Sequence, residues 1–503
     1  MNSRRKLTYN TISSAVYHIV LLICGFILPR VILEVYGSNT NGLINSLQQF
    51  LGVISFMDMG VMAVMQSALY KPLAENDTDE VSRIMVSGQK FYTLIGLAMA
   101  SYAIVLALVY PLFEKSFTYS FEASLTIVLS ISLLAQYLFG IVNRTLLLAD
   151  QKGYVIYSLQ TLAIIFTTVL GVVFAKNGFS IHVVKLVGAG SFLLQVFLVS
   201  LYIKKKYQIN RKIRYTKEPI SQKWNGIAQH IAAVVLGQTD VLVLTVFSKL
   251  DLVSVYSVYN LVLAGVKNLL FSMTNGIQSL MGEYIAKKEQ KKLEELFSRF
   301  EWISHTVIAI VFSCTAALII PFVKVYTKNI FDAEYIVPAF AFLITLAHAG
   351  HCIRLPYNLL ILAAGHYRQT QSNYIVAAAM NVVISVVCVL KWGLVGVAIG
   401  TLVAMVYQTI WMAAYDSKHL IHRSMLCFAK NVLVDILVFS AVYLVSGLFS
   451  LSNTDYLSWA RLAIKVLFVA VGISMIVNLV FYKNNMMSLV GKLIKGNMHE
   501  KNE

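Results

Sequence analysis

Seven charged residues inside apolar stretches of this 503-residue chain are candidates for chemistry: Arg30, Asp58, Arg144, Asp240, Lys267, Arg354 and Asp435. Lys185 and Lys465 lie near span ends and are expected to snorkel. A charge at the centre of a bilayer costs roughly 2.5–3.5 kcal/mol on insertion scales, so such residues face a water-filled cavity or a partner. Arginine and lysine there suit an anionic ligand. Aspartate suits a hydroxyl, a proton or a neighbouring cation. Lys267 is the most telling, because it lies near the middle of the apolar run 253–282. Its amine would have to reach about 15 Å to snorkel into water. It therefore lines an aqueous cavity or pairs with Asp58 or Asp240. Arg354 stands in HAGHCIRLPYN beside His348, His351 and Pro356, and the proline is expected to break the helix and expose backbone. Arg30 and Arg144 lie nearer to span ends, so each is either functional or snorkelling. Asp58 and Asp240 bind hydroxyls, carry protons or pair with these cations. Asp435 falls beyond the repeat described below and is left out of the candidate site.

The elements that must position these residues are membrane spans. The chain is 58% hydrophobic and 13% charged, against about half and a quarter in soluble domains. A span needs about 20 mostly apolar residues. The expected spans are 11–34, 42–67, 89–112, 121–148, 153–175, 181–203, 225–248, 253–282, 299–322, 334–364, 370–390, 391–415, 425–449 and 457–482. The fold class is thus an all-α polytopic membrane protein of about 14 transmembrane helices. The first run follows Arg4, Arg5 and Lys6, is too long for a signal-peptide core and lacks a cleavage site, so it reads as the first span.

The net charge of +17 raises nucleic acid as a partner. Its distribution excludes that reading. Lysine and arginine favour one set of loops about four to one, which is a topology signal that puts both termini in the cytoplasm. The basic run Lys204–Lys223 lies mid-chain. It is expected to be a cytoplasmic linker, with anionic lipid headgroups within reach. Segments 71–88 and 283–300 occupy matching places and are expected to be short amphipathic helices. The D-x-D at Asp77–Asp79 reads as a helix N-cap rather than a metal site. The five cysteines show no CxxC spacing and read as packing residues. No metal, cofactor or catalytic residue is expected, and no P-loop pattern occurs.

Two halves look related. Leu146–Tyr154 matches Leu359–Tyr367, and Gly60 matches Gly276, at offsets of 213 and 216 residues. An even number of spans per half makes the repeat parallel, with a substrate path between two six-helix bundles. The expected domains are 1–203, a linker 204–224, 225–415, and two extra spans with a tail over 416–503.

The stretch Ile27–Ala74, with Arg30, Gly37, Gly42, Asp58 and Gly60, resembles the Wzx-type polysaccharide flippases. These belong to the multidrug/oligosaccharidyl-lipid/polysaccharide (MOP) superfamily. Asp240 with Tyr256 and Ser257, and Asn143-Arg144 with Gln151–Tyr154, resemble the family's seventh-to-eighth and fourth spans. The resemblance implies a V-shaped transporter with a central cavity, working without covalent chemistry in a bacterial cytoplasmic membrane. Its substrate would be a polyisoprenoid-pyrophosphate-linked oligosaccharide, with a polysaccharide polymerase as a partner. Arg30, Asp58, Arg144, Asp240, Lys267 and Arg354 would be substrate-binding. Amides such as Gln48, Gln136, Asn260, Asn268 and Asn358 would replace hydration or join helices. The first span carries only Glu34 as an acidic residue, and no Pro-Asn-Leu-Leu-Arg-Arg pattern follows it. Both departures weigh against the alternatives, a cation-coupled multidrug antiporter and a lipid II-type flippase. A membrane polymerase or ligase is disfavoured by outer loops too short for a catalytic site.

Overall fold

The computed structural model describes residues 3–54, 61–215, 227–272 and 277–487. Every regular element in them is helical, as hydrocarbon demands of a chain that must satisfy its own backbone groups. Among the described residues, twelve helices are long and apolar enough to cross a membrane. This is a multi-pass membrane protein. The figure accords with about fourteen spans. Thr8–Val53 is counted once but holds 46 residues, about 70 Å at 1.5 Å per residue and so two bilayer crossings. The seventh expected span is the helix Ile227–Phe247, of which Val235–Phe247 registers as a shorter apolar helix.

The helices cluster into two compact units, Met1–Ser254 and Val255–Glu503. The first contains α1 (Ser3–Val53), α2 (Val61–Glu75), α3 (Thr78–Phe113), α4 (Tyr119–Ala135), α5 (Ile141–Ala149), α6 (Gly153–Lys176), α7 (Ile181–Lys206) and α8 (Ile227–Phe247). A break at Gly37, with φ 82° and ψ 171°, divides α1 into its two spans. That region of backbone space is open essentially to glycine alone. Gly37→Ala is therefore expected to cost about 1–3 kcal/mol, read as a lower thermal midpoint of the purified protein. Beyond the break, a Cβ on Gly42 would lie 1.9 Å from the Leu250 carbonyl oxygen, so only glycine permits this approach. Ser46 accepts hydrogen bonds from Tyr110 of α3 at 2.9 Å and Thr245 of α8 at 2.8 Å, joining three helices at one buried hydroxyl.

The second unit takes most of α9 (Leu250–Ser272), then α10 (Ile277–Ala286), α11 (Gln290–Tyr326), α12 (Pro338–Ile353), α13 (Leu355–Ala363), α14 (Tyr367–Trp392), α15 (Leu394–His419), α16 (Leu426–Ser446) and α17 (Tyr456–Phe481). The turn between α14 and α15 is the single residue Gly393, with φ 51°. The two helices then pack backbone on backbone. A Cβ on Gly396 would stand 2.3 Å from the Cys388 carbonyl group, and one on Gly400 would stand 2.7 Å from Ser385 N. Helices α16 and α17 lie along α11. Val434, Val438, Val442 and Ala470 bury Ala309, and Leu462 with Val466 buries Leu318.

The repeat is visible in the turns. Positive φ recurs at Asn76 and Lys288, at Gln151 and Gly365, and at Gly178 and Gly393, offsets of 212, 214 and 215 residues. Each pair closes the same helix-to-helix connection in its half. The fourth span of each half is also interrupted at one place. In the first a π turn fills Gln136–Gly140, and in the second Arg354 separates α12 from α13.

Two local expectations are corrected. Segments 71–88 and 283–300 are not separate amphipathic helices. Each is the end of one helix, α2 or α10, then a tight turn, then the first turns of a long helix, α3 or α11. Span 121–148 is present as Tyr119–Ala149, with the π turn inside it. Of the run 253–282, α9 extends to Ser272 and α10 begins at Ile277, and residues 273–276 lie outside the described residues. Pro356 does not expose backbone at Arg354. It occupies the first turn of α13, where a missing N–H costs nothing. Arg354 N donates to Gly350 O at 3.1 Å, and Arg354 O accepts from Asn358 N at 3.0 Å. The reading of Asp77 holds: it caps α3 by accepting from Glu80 N at 2.9 Å. Of the cysteines read as packing residues, Cys24 and Cys352 are buried, whereas Cys427 is exposed.

Candidate functional site

The site is built on α9, the α12–α13 junction and α15. Tyr259, Leu263, Lys267 and Phe271 recur every four residues and so share one face of α9. Tyr259 and Leu263 are fully buried, and Tyr259 fixes the helix by donating from its hydroxyl to Tyr335 O at 2.7 Å. One turn past Lys267, the Phe271 ring stacks on His351, with centroids 5.5 Å apart and planes at 23°. This orientation sends the half-buried Lys267 side chain toward His348, His351, Cys352 and Arg354, all within electrostatic reach of it.

Arg354 is buried at 8% exposure. Its guanidinium donates to Gln408 Oε1 of α15 and meets His351 Nδ1 at 3.3 Å. Its Nε has no hydrogen-bond partner. Thr409 of α15 donates to Gly350 O at 3.0 Å, which locks α15 against the end of α12. Among the described residues no carboxylate lies within ion-pair distance of Lys267 or Arg354. Two cationic side chains beside two histidines, without an anion, form a site that favours an anionic ligand.

The other candidates fall elsewhere. Arg30 on α1 and Arg144 on α5 are half-buried, and Asp240 on α8 is buried. Arg144 lies near Tyr17 of α1, and its Nε has no hydrogen-bond partner. Asp58 lies outside the described residues. Among the described residues, Lys267 and Arg354 are candidates that the structure brings together. Of the amides, Asn358 accepts from Tyr374 and so ties α13 to α14, whereas Gln48 and Asn268 are exposed. The Leu146–Tyr154 motif holds a turn together. Its Asp150 accepts from Tyr207 at 2.5 Å and pairs with Lys152 at 2.7 Å. Asn10 also spans this turn, donating to Gln151 O and accepting from Tyr154 N.

Sequence reasoning misses a second polar cluster. Glu301 and His305 of α11, Tyr357 of α13, Arg423 just before α16 and Asp435 within it form one buried hydrogen-bonded chain. A signal for it exists: Glu301 and His305 are four residues apart at the head of an apolar span, which puts them on one helix face.

No protein-family model and no curated protein sequence matches this chain. Solved structures do. A structure of the lipid II flippase MurJ in an inward closed conformation overlaps 95% of this chain and 99% of its own, with a TM-score of 0.69 at 13% identity. An inward-facing multidrug resistance MATE family transporter of the MOP superfamily overlaps 81% and 98%, at 0.57 and 14%. The chain has the fold of MOP-superfamily transporters. A third such structure, the Vibrio cholerae MATE transporter VcmN in its bent form, overlaps 86% and 98%, with a TM-score of 0.55 and 12% identity. At these identities the likeness is one of fold.

Proposed function

We propose that the protein is a flippase. It moves a polyisoprenoid-pyrophosphate-linked oligosaccharide repeat unit from the inner to the outer leaflet of a bacterial cytoplasmic membrane. It works by alternating access, for capsule, exopolysaccharide or O-antigen-type synthesis. The observation that carries this reading is the convergence of Lys267 on the buried Arg354, with no carboxylate beside either among the described residues. A pyrophosphate headgroup carries about two negative charges and cannot cross about 30 Å of hydrocarbon unaided. Two cations and the two histidines replace part of its hydration. Arg30, Asp58, Arg144 and Asp240 would line the rest of the path, and both termini would face the cytoplasm. A lipid II-type headgroup presents the same pyrophosphate, and the fold is shared with a lipid II flippase, so that substrate is the second reading.

Mass spectrometry of lipids from a strain lacking the protein separates the readings. Accumulation of a lipid-linked oligosaccharide on the inner leaflet is the expected result. Accumulation of lipid II instead would select the second reading. Lost dye efflux with normal glycan would point to drug transport and overturn both.

A further inference from the structure

The buried chain on α11, α13 and α16 makes three polar contacts, one more than the protons its residues ordinarily carry. Tyr357 donates from its hydroxyl to Glu301 Oε1 at 2.5 Å. The same hydroxyl lies 3.1 Å from His305 Nε2. His305 Nδ1 lies 2.5 Å from Asp435 Oδ2. Three hydrogen bonds need three protons. A carboxylate, a phenol, a neutral imidazole and a second carboxylate supply two, one on the phenol and one on the ring. The count does not depend on which tautomer the ring adopts. If Nε2 donates to the phenol oxygen, Nδ1 faces Asp435 and that contact still needs a proton on one side. If Nδ1 donates to Asp435 instead, the phenol has one proton for Glu301 and Nε2 together, and one of those two contacts lacks its own.

Charge balance agrees. Glu301, His305, Tyr357 and Asp435 are each at most 8% exposed. Arg423 donates to Glu301 and is the one permanent cation of the chain. Two carboxylates against one cation leave an uncompensated negative charge, which is costly at this depth. One further proton brings the sum to zero. Asp416 of α15 adds pressure in the same direction: it is buried at 1% exposure, neither of its oxygens has a hydrogen-bond partner, and it lies within electrostatic reach of Glu301 and Arg423.

Among the described residues, the remaining polar neighbours are engaged elsewhere. Helix α10 presents Glu283 and, just past its end, Lys287 follows, both exposed and paired with each other. Lys430 of α16 donates to Phe481 O, and Tyr482 beyond α17 donates to Asn431. His348 and His351 of α12 lie with Lys267 and Arg354. Trp302 and Thr306 of α11 both donate to Asn478 of α17.

We infer that Glu301, Tyr357, His305 and Asp435 form a proton-binding site, and that the bound proton fastens α16 to α11 and α13. The site is separate from the Lys267–Arg354 pair, and it stands whether or not a pyrophosphate lipid is the substrate. Loss of the proton leaves one of the three contacts with no hydrogen between its two acceptors and restores the uncompensated buried negative charge, and α16 loosens.

The test is hydrogen–deuterium exchange of α16 in the full-length protein in nanodiscs, without substrate, across an alkaline titration and corrected for the intrinsic pH dependence of exchange. In the wild type, protection of α16 is expected to fall by about tenfold or more as the proton leaves. Asp435→Asn keeps the shape and supplies an N–H in place of the proton, so its α16 should stay protected throughout. Nitrogen NMR of the imidazoles, with His305 assigned through His305→Gln, gives an independent readout. It should report a ring or contact proton at neutral pH that Asp435→Asn alters. A wild-type α16 whose protection does not change with pH, or an Asp435→Asn protein with the wild-type profile, overturns the proposal.

Discussion

Lys267→Glu is expected to lower export of the proposed substrate, a lipid-linked oligosaccharide, by at least about 100-fold, with the protein still inserted. Losing a close charged contact to a buried ligand costs about 2–5 kcal/mol, and every 1.4 kcal/mol is tenfold. The substitution does more than remove one cation. A carboxylate placed next to Arg354 pairs with it and takes the site from two positive charges to none. Lys267→Gln keeps the Arg354 charge, so it should fall between glutamate and wild type. Arg354→Lys should rescue part of the activity lost in Arg354→Ala, because a point charge remains while the fork that holds Gln408 is gone. The measurement is polysaccharide export by variants expressed to equal level in the deletion strain. Wild-type export by correctly inserted Lys267→Ala and Arg354→Ala proteins would remove both residues from the site.

The second large effect is structural. Gly396→Val is expected to destabilise the protein by about 3 kcal/mol or more, above the usual 1–3 kcal/mol of core overpacking. The obstructing atoms are the Cys388 carbonyl carbon and oxygen, both 2.3 Å from where the Cβ would stand. A side chain can rotate away, but a helix backbone cannot. Helices α14 and α15 would have to separate along their length. Gly400 lies one turn further in a G-x-x-x-G spacing, the pattern that lets membrane helices approach closely. The single-residue turn at Gly393 gives the pair no slack to absorb the displacement. A fluorescence-detected thermal melt in detergent should show the loss, with Gly396→Ala intermediate.

Much of the fold is legible in the sequence because its signals are local. Span length, apolar content and basic loops depend on neighbours in sequence. So does the LLLADQKGY and LLILAAGHY match, which the structure shows to be one connection made twice. Gly37 is visible as a turn residue, although nothing in the sequence specifies its backbone angles. The errors come where a local signal has two outcomes. Residues 78–88 are polar, and polarity at a helix start suggests an interfacial helix when the helix in fact continues into the membrane. A proline inside a helix usually breaks it, and only the one-residue offset at Arg354 places Pro356 in a first turn instead. The candidate site divides in the same manner. Lys267 and Arg354 stand out as cations in apolar runs, but their convergence spans 87 positions and no periodicity encodes it. Asp435 stands out as well, yet it falls outside the repeat and its partner His305 lies 130 residues earlier. Arg423 sits among loop residues whose charge sets orientation, which masks its bond to Glu301.

The π turn at Gln136–Gly140 means that the fourth span carries one residue more than an α-helix of its length. A one-residue deletion there would leave a regular helix rather than a broken one. Everything beyond it would rotate by about 100° about the helix axis. Arg144, four residues past the turn, would swing from its place beside Tyr17 to a different wall of the helix. Asn143 would leave Ser200 of α7, to which it donates at 3.0 Å. A single codon thus separates two aims for the same arginine, with no change in the residues that surround it.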